Sequence, residues 1–104
     1  MIITTTEFIP GREIVEALDI VRGSTVRARH VGHDIMAGLK TIVGGEIEEY
    51  TRLMAEAREL AIDRLIADAE RIGADAIINI RFSTSMVMTG SAEILAYGTA
   101  VRLR

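Results

Sequence analysis

An α+β subunit, with one short and one long helix set against a mixed or antiparallel sheet, is the fold class this chain predicts. Three features predict it. A Gly44-Gly45-Glu46 turn feeds one long amphipathic run, Gly73 closes that run, and two apolar strand-like segments follow it, Ala74 to Phe82 and Ala92 to Arg102. With 104 residues in all, positions 1–104 form a single domain, since single cores usually take roughly 100 to 200 residues.

The elements follow in order. Ile2 to Thr5 is rich in β-formers and precedes a Pro10-Gly11 turn, so it reads as a short strand or extended arm. From Glu13 to Arg22, Ile14, Val15, Leu18, Ile20 and Val21 predict a mostly buried strand that Gly23-Ser24 breaks. A second strand is expected over Thr25 to Val31. There Thr25, Arg27 and Arg29 alternate with Val26, Ala28 and His30, the pattern of a sheet with one wetted side. Asp34 is a good N-cap for a short helix carrying Ile35, Leu39 and Ile42, which Gly44-Gly45 ends.

Glu46, Glu48 and Glu49 then crowd the start of the long helix, where the helix dipole favours negative charge. Ile47, Tyr50, Met54, Ala57, Ala61, Leu65 and Ile72 share one side of it, with Arg52, Glu56, Glu59, Asp63 and Glu70 opposite. From Glu46 to Ile72 such a helix spans about 40 Å at ~1.5 Å per residue, long for a domain whose compact radius of gyration is about 13 Å. Ile62 and Ile66 add a second apolar flank outside the main stripe, which predicts cover by a neighbouring subunit or, as the alternative, burial within the one chain. After Gly73, Ala76, Ile78, Ile80 and Phe82 alternate with Ile77, Asn79 and Arg81. A short strand follows over Ser85 to Met88, then a turn at Thr89-Gly90-Ser91. In the last strand Leu95, Tyr97, Val101 and Leu103 line one face, while Ala96, Gly98 and Ala100 leave the other open to close approach by a backbone, a helix or a ligand.

Composition removes several function classes. Hydrophobic residues make up 49% and aromatics 4%, so the core is aliphatic and offers few stacking partners to a flat ligand. A net charge of -3 with a single lysine, Lys40, is not the clustered positive charge that nucleic acid needs. The absence of cysteine removes disulfides, thiolate nucleophiles and Cys-based metal sites. The N-terminus has neither a basic leader nor a long apolar run, and no stretch approaches the ~20 apolar residues of a membrane span. A cytoplasmic, soluble protein without a membrane partner is the expectation.

With these pieces placed, the order Gly44-Gly45-Glu46, Tyr50, Arg58, Gly73-Ala74-Asp75-Ala76 and Ala96-Tyr97-Gly98-Thr99-Ala100-Val101 resembles the YbjQ-like family of small bacterial and archaeal proteins. The resemblance runs from end to end and includes Thr4-Thr5-Thr6, Ile9-Pro10-Gly11 and Asp34-Ile35. It implies an α+β subunit that assembles with itself into a ring-shaped homopentamer, with short added strands joining neighbours. The family carries a heavy-metal-binding description and no established reaction, so the cofactor it implies is a metal ion, here without thiolate ligands.

The residues themselves offer three candidate chemistries. His30 and His33 are the only histidines and stand with Asp34 at a strand–helix junction, a donor set suited to Zn, Ni or Cu; the other reading is surface or interface histidines beside an N-cap. Met36, Met54, Met86 and Met88 carry thioethers for a soft ion, or fill a core or an interface in a chain with few aromatics. Arg58 and Asp68 fall inside the apolar arc of the long helix, where a charge is paired or faces a polar cavity. One reading is an ion pair within or between subunits. The other places Arg58 over an anion, with Glu46 and Tyr50 completing the pocket.

Catalytic signatures are missing. Gly44-Gly45 precedes acidic residues and no P-loop lysine, and no serine sits in a Gly-x-Ser-x-Gly elbow. Together with the ring that the resemblance implies, this makes a non-enzymatic, ring-forming cytosolic binding protein holding a metal ion or small anion at subunit interfaces the expectation. A scaffold without a small ligand is the alternative, and an enzyme using Arg58, Glu46 and Tyr50 in an interfacial pocket is a third reading.

Overall fold

The computed structural model describes residues 1–28 and 48–104. The predicted short helix, the Gly44-Gly45 turn, His30, His33, Asp34, Met36 and Glu46 lie outside these residues, as do the side chains of residues 28 and 48–50. Four strands and one helix make up the described fold: β1 (Ile2–Ile3), β2 (Ile14–Ala28), α1 (Glu48–Arg71), β3 (Ala76–Met88) and β4 (Ser91–Leu103). The strands form one mixed sheet in the order β1-β3-β4-β2, with β1 parallel to β3 and the other pairs antiparallel.

The helix lies across one face of the sheet, and the contact is made by small residues. Ala57, Ala61 and Ala69 of α1 are fully buried together with Leu65, and they meet Ala96 and Ala100 of β4 and Val21 of β2. The open face predicted for β4 is therefore the face α1 covers. Closest approach is at Gly23, where a Cβ would fall on the Ala61 carbonyl oxygen and the Leu65 nitrogen. Gly23-Ser24 is thus not a break. β2 runs unbroken through it, because what the glycine provides is room for the helix backbone and not a turn. The wetted side of β2 is also the reverse of the expected one: Thr25 is 3% exposed and Val26 57%. Val21, Gly23, Thr25 and Arg27 alternate onto the helix side, and Val26 faces out.

β3 absorbs the separate strand expected over Ser85 to Met88 and carries a bulge that changes its alternation. Ile78 pairs with Thr99 and Arg81 with Tyr97, so Asn79 and Ile80 together oppose Gly98. Asn79 takes a φ of 54°, a left-handed conformation that asparagine tolerates better than most residues. The extra residue turns Ile80 onto the helix face beside Ile77, while Ala76 and Ile78 pack with Val101 on the other face, under Ile9, Ile14 and Leu103. Gly98 permits this, since a Cβ there would lie 2.9 Å from both Ile77 Cγ2 and the Ile78 carbonyl oxygen.

The C-terminus of α1 closes as predicted. Ala74 N–H donates to the Ala69 carbonyl at 3.1 Å and Gly73 N–H to that of Glu70 at 3.1 Å, with Gly73 at φ 76°. At 24 residues the helix is about 36 Å long. The protomer is correspondingly elongated, 54 × 23 × 16 Å with a radius of gyration of 17.2 Å, against about 13 Å for a compact chain of this size. Among the described residues no helix is long and apolar enough to cross a membrane.

The helix packs chiefly on β2 and β4 and on Ile77 and Ile80 of β3, and leaves the far end of β3, from Arg81 to Met88, exposed. Ile3, Ile62, Ile80 and Phe82, with Thr4 and Thr5, line an apolar groove of about 160 Å³ between α1 and the β1–β3 edge. Beyond it the far end of β3 exposes Met86 at 79% and Met88 at 65%, so these two methionines are not core filler. A register shift lies between them, so regular alternation does not set both on one side.

Candidate functional site

Arg58 and Asp68 do not meet. Ten residues of helix separate them, about 15 Å at ~1.5 Å per residue, and each belongs to its own set of contacts. The Asp68 carboxylate accepts the backbone N–H of Arg22 at 3.0 Å through Oδ2, while its Oδ1 accepts Arg71 Nη2 at 3.0 Å. First the Arg22 N–H and then the Arg71 guanidinium hold this carboxyl below the usual carboxylate range, against the upward push of its burial. Arg22 lies on β2, an edge strand of the sheet among the described residues. One turn earlier, Arg64 Nη1 donates to the Ser24 carbonyl at 2.7 Å. Arg64 and Asp68 thus cover the open edge of β2 with a donor and an acceptor set one helical turn apart, which protects that edge from pairing with another strand. Asp68 is a clamp between helix and sheet, and the reading of Arg58 and Asp68 as an ion pair within the subunit is corrected.

Arg58 is exposed, not held within the apolar arc, and the expected ion pair to it is absent among the described residues. It lines an open recess of about 450 Å³ between α1 and β2, together with Arg27, Ala55, Glu56, Glu59, Leu60 and Asp63. Arg27 was expected on a solvated strip. It instead follows Val21, Gly23 and Thr25 onto the helix face, half buried, with its Nε buried and lacking a hydrogen-bond partner. Thr25 Oγ1, two residues further in, is likewise buried and unpartnered. An N–H left dry and unpaired costs on the order of 1 to 3 kcal/mol, more when it is charged. The recess is bordered by two guanidiniums, Arg27 from β2 and Arg58 from α1, and by three carboxylates, all on α1.

Arg27 was within reach of sequence reasoning. Had the alternation been carried from buried Val21 through Gly23, instead of restarting at a supposed break, it would have set Thr25 and Arg27 on the covered face.

A smaller recess of about 310 Å³ lies at the opposite edge, lined by Thr5, Thr6, Glu7, Phe8, Asn79 and Arg81. Its polar groups are largely engaged. Arg81 Nη1 donates to the Thr5 and Ile80 carbonyls at 2.9 and 2.8 Å, Asn79 N–H to the Thr6 carbonyl at 3.0 Å, and the Thr6 hydroxyl to the Phe8 carbonyl at 2.6 Å. These bonds fasten the N-terminal arm to the β3 bulge.

Comparison with known proteins places the chain. The model of the YbjQ family, described as "putative heavy-metal-binding", matches residues 1–104. The chain belongs to this family. It is 62% identical over 104 residues to a UPF0145 protein of Archaeoglobus fulgidus, covering 100% of this chain and 96% of that one. A UPF0145 protein of Psychromonas ingrahamii is 60% identical over 104 residues, at 100% and 99% coverage. The fold resembles the crystal structure of a protein of unknown function from Pediococcus pentosaceus, of the DUF74 family, with a TM-score of 0.72 at 19% identity over 100% of this chain and 98% of that one.

The heavy-metal description of the YbjQ family finds no match in the described residues. No three His, Cys, Asp or Glu side chains among them come together as a metal would require, and the chain has no cysteine to supply the soft thiolates that heavy metals prefer. Glu56, Glu59 and Asp63 share a recess wall without forming such a cluster, and two guanidiniums share that recess with them.

Proposed function

We propose that this YbjQ-family chain is a self-assembling, non-enzymatic binding protein of the cytoplasm, in which copies of the subunit close into a ring, expected to be of five, and take a small ligand bearing an anionic group at their interfaces. The ligand half of this reading is carried by one observation: two guanidiniums, Arg27 and Arg58, border one recess and form no ion pair among the described residues. An anionic oxygen in that recess would accept charge-assisted hydrogen bonds from them. Assembly is supported by the exposed end of β3 and the groove beside it. Ile3, Ile62, Ile80 and Phe82 form an apolar groove, and the adjoining edge of β3 has no strand beside it among the described residues beyond the reach of the N-terminal arm. Glu46 and Tyr50 remain candidates to complete the site.

The family description favours a second ligand, a divalent metal. Its donors on this chain would be His30, His33 and Asp34, since the described residues supply no donor set.

Native mass spectrometry of untagged protein, purified without chelator, tests both halves at once. A five-subunit assembly carrying stoichiometric added mass is the expected result. A monomer at micromolar concentration overturns the assembly, and a bare pentamer moves the reading to a scaffold without a small ligand.

A further inference from the structure

We infer that the recess between α1 and β2 recognises a small zwitterion of amino-acid type, whose one carboxylate sits between the guanidiniums of Arg27 and Arg58 and whose ammonium faces Glu56, Glu59 and Asp63. The inference rests on the reading of this recess as a binding site and goes further by naming the ligand class from the charges of its walls.

The carboxylate follows from Arg27. Arg27 lines the recess, and a guanidinium presents its donors in a planar fork that matches the two oxygens of a carboxylate. Arg58 borders the same space, and neither arginine forms an ion pair among the described residues, so both retain free donors. The remaining walls decide what else the ligand carries. Among the described residues, Glu56, Glu59 and Asp63 give the lining one more carboxylate than guanidinium. A dianion such as phosphate would be drawn by the arginines and repelled by these carboxylates, and a simple amine would meet the reverse. A molecule with one charge of each sign satisfies both sets, and the mixed charge of the lining selects against each singly charged relative.

Size and surface agree with this class. About 450 Å³ lies within the range of small-molecule sites, and Ala55 and Leu60 supply an apolar wall for a short aliphatic side chain. The acidic residues fall on one flank of α1, with Glu59 and Asp63 four apart and hence stacked on neighbouring turns, so the ammonium has carboxylates on a rigid element to approach.

Titration of ¹⁵N-labelled, fully assembled protein followed by amide shifts tests the inference. The probes are L-leucine, glycine, 4-methylpentanoate (leucine without its ammonium), 3-methylbutylamine (leucine without its carboxylate) and inorganic phosphate. L-Leucine is expected to move the amides of Arg27 and of residues 55–63, with both singly charged analogues at least tenfold weaker. Arg58→Ala, at an exposed helix position where folding is retained, lowers leucine affinity at least tenfold, and Arg27→Gln does the same. A Glu59→Gln, Asp63→Asn double variant shifts preference from leucine towards 4-methylpentanoate. If phosphate or 4-methylpentanoate binds at these amides as tightly as leucine, the zwitterion class is overturned while the recess remains a binding site. Should none of the five probes move these amides, the zwitterion and the ligand reading of the recess fail together.

Discussion

The carboxylate of Asp68 holds the backbone N–H of Arg22 at 3.0 Å, and that single bond joins the end of α1 to the outer edge of the sheet. It satisfies a donor that no strand reaches, and it ties the sheet to the helix across 46 positions of sequence. Asp68→Asn keeps the shape and removes the charge, and is expected to cost about 1 to 2 kcal/mol at neutral pH. The folded-state carboxyl is held below its ordinary value, so its contribution is complete above the unfolded value of about 4 and is lost as the pH falls through the lower, folded one. Thermal melts of the two proteins should therefore converge as the pH is lowered below about 4. A gap that stays constant through that range would mean that the charge of Asp68 contributes nothing.

Gly23 and Gly98 are both places where no side chain fits, yet they are not equivalent. At Gly23 the obstructing atoms are the helix backbone itself, Ala61 O, Leu65 N and Arg64 C, which yield only if α1 moves off the sheet. At Gly98 two of the three nearest atoms are the methyl or methylene carbons of Ile77 and Ile80, which have some freedom to shift, although the Ile78 carbonyl does not. Gly23→Ala is expected to cost about 3 kcal/mol and Gly98→Ala about 1 to 2. Urea unfolding checks the ranking, and equal midpoints for the two variants would show that the helix does not rest on Gly23 as tightly as its backbone contacts require.

These two glycines also mark where the sequence could and could not be read. The long helix was visible because Ala57, Ala61 and Leu65 recur at helical spacing against an acidic face, and its end because Gly73 closes the last turn. The helix-covered face of β4 was visible as a row of small residues, Ala96, Gly98 and Ala100. Gly23 misled because a glycine beside a serine has the same local signature whether it turns the chain or makes room for a distant helix. The bulge at Asn79 was hidden for a similar reason. Only pairing with β4 shows two residues opposing one, so the period-two pattern of Ala76, Ile78 and Ile80 was carried one residue too far. Arg27 inherited the error at Gly23, and half of the candidate recess went unseen with it.

The exposed end of β3 sets up a test of assembly. Phe82, 45% exposed, borders the groove that Ile3, Ile62 and Ile80 complete. Phe82→Glu places a charge there without touching the buried contacts between α1 and β4. It is expected to convert the assembly to monomers at micromolar concentration by sedimentation velocity, with an unchanged far-ultraviolet circular dichroism spectrum. Glu70→Lys, on the polar face of the helix, is the matched control and should leave the assembly intact. An assembled Phe82→Glu protein would show that copies meet elsewhere.

A metal, if this YbjQ-family chain carries one, has a restricted choice of donors. The described residues bring no three His, Cys, Asp or Glu side chains together, and there is no cysteine anywhere in the sequence. Outside the described residues, His30 and His33 stand in sequence with Asp34, two imidazoles and a carboxylate of the kind that zinc and nickel accept. A His30→Ala, His33→Ala double variant is expected to lose zinc and nickel binding in calorimetric titration while keeping the assembly and the response of the α1–β2 recess to L-leucine. Imidazole binds metal only when neutral, so the affinity of the unmodified protein should also fall as the buffer is acidified. If the double variant holds either metal as tightly as the parent protein, the histidines are not the ligands.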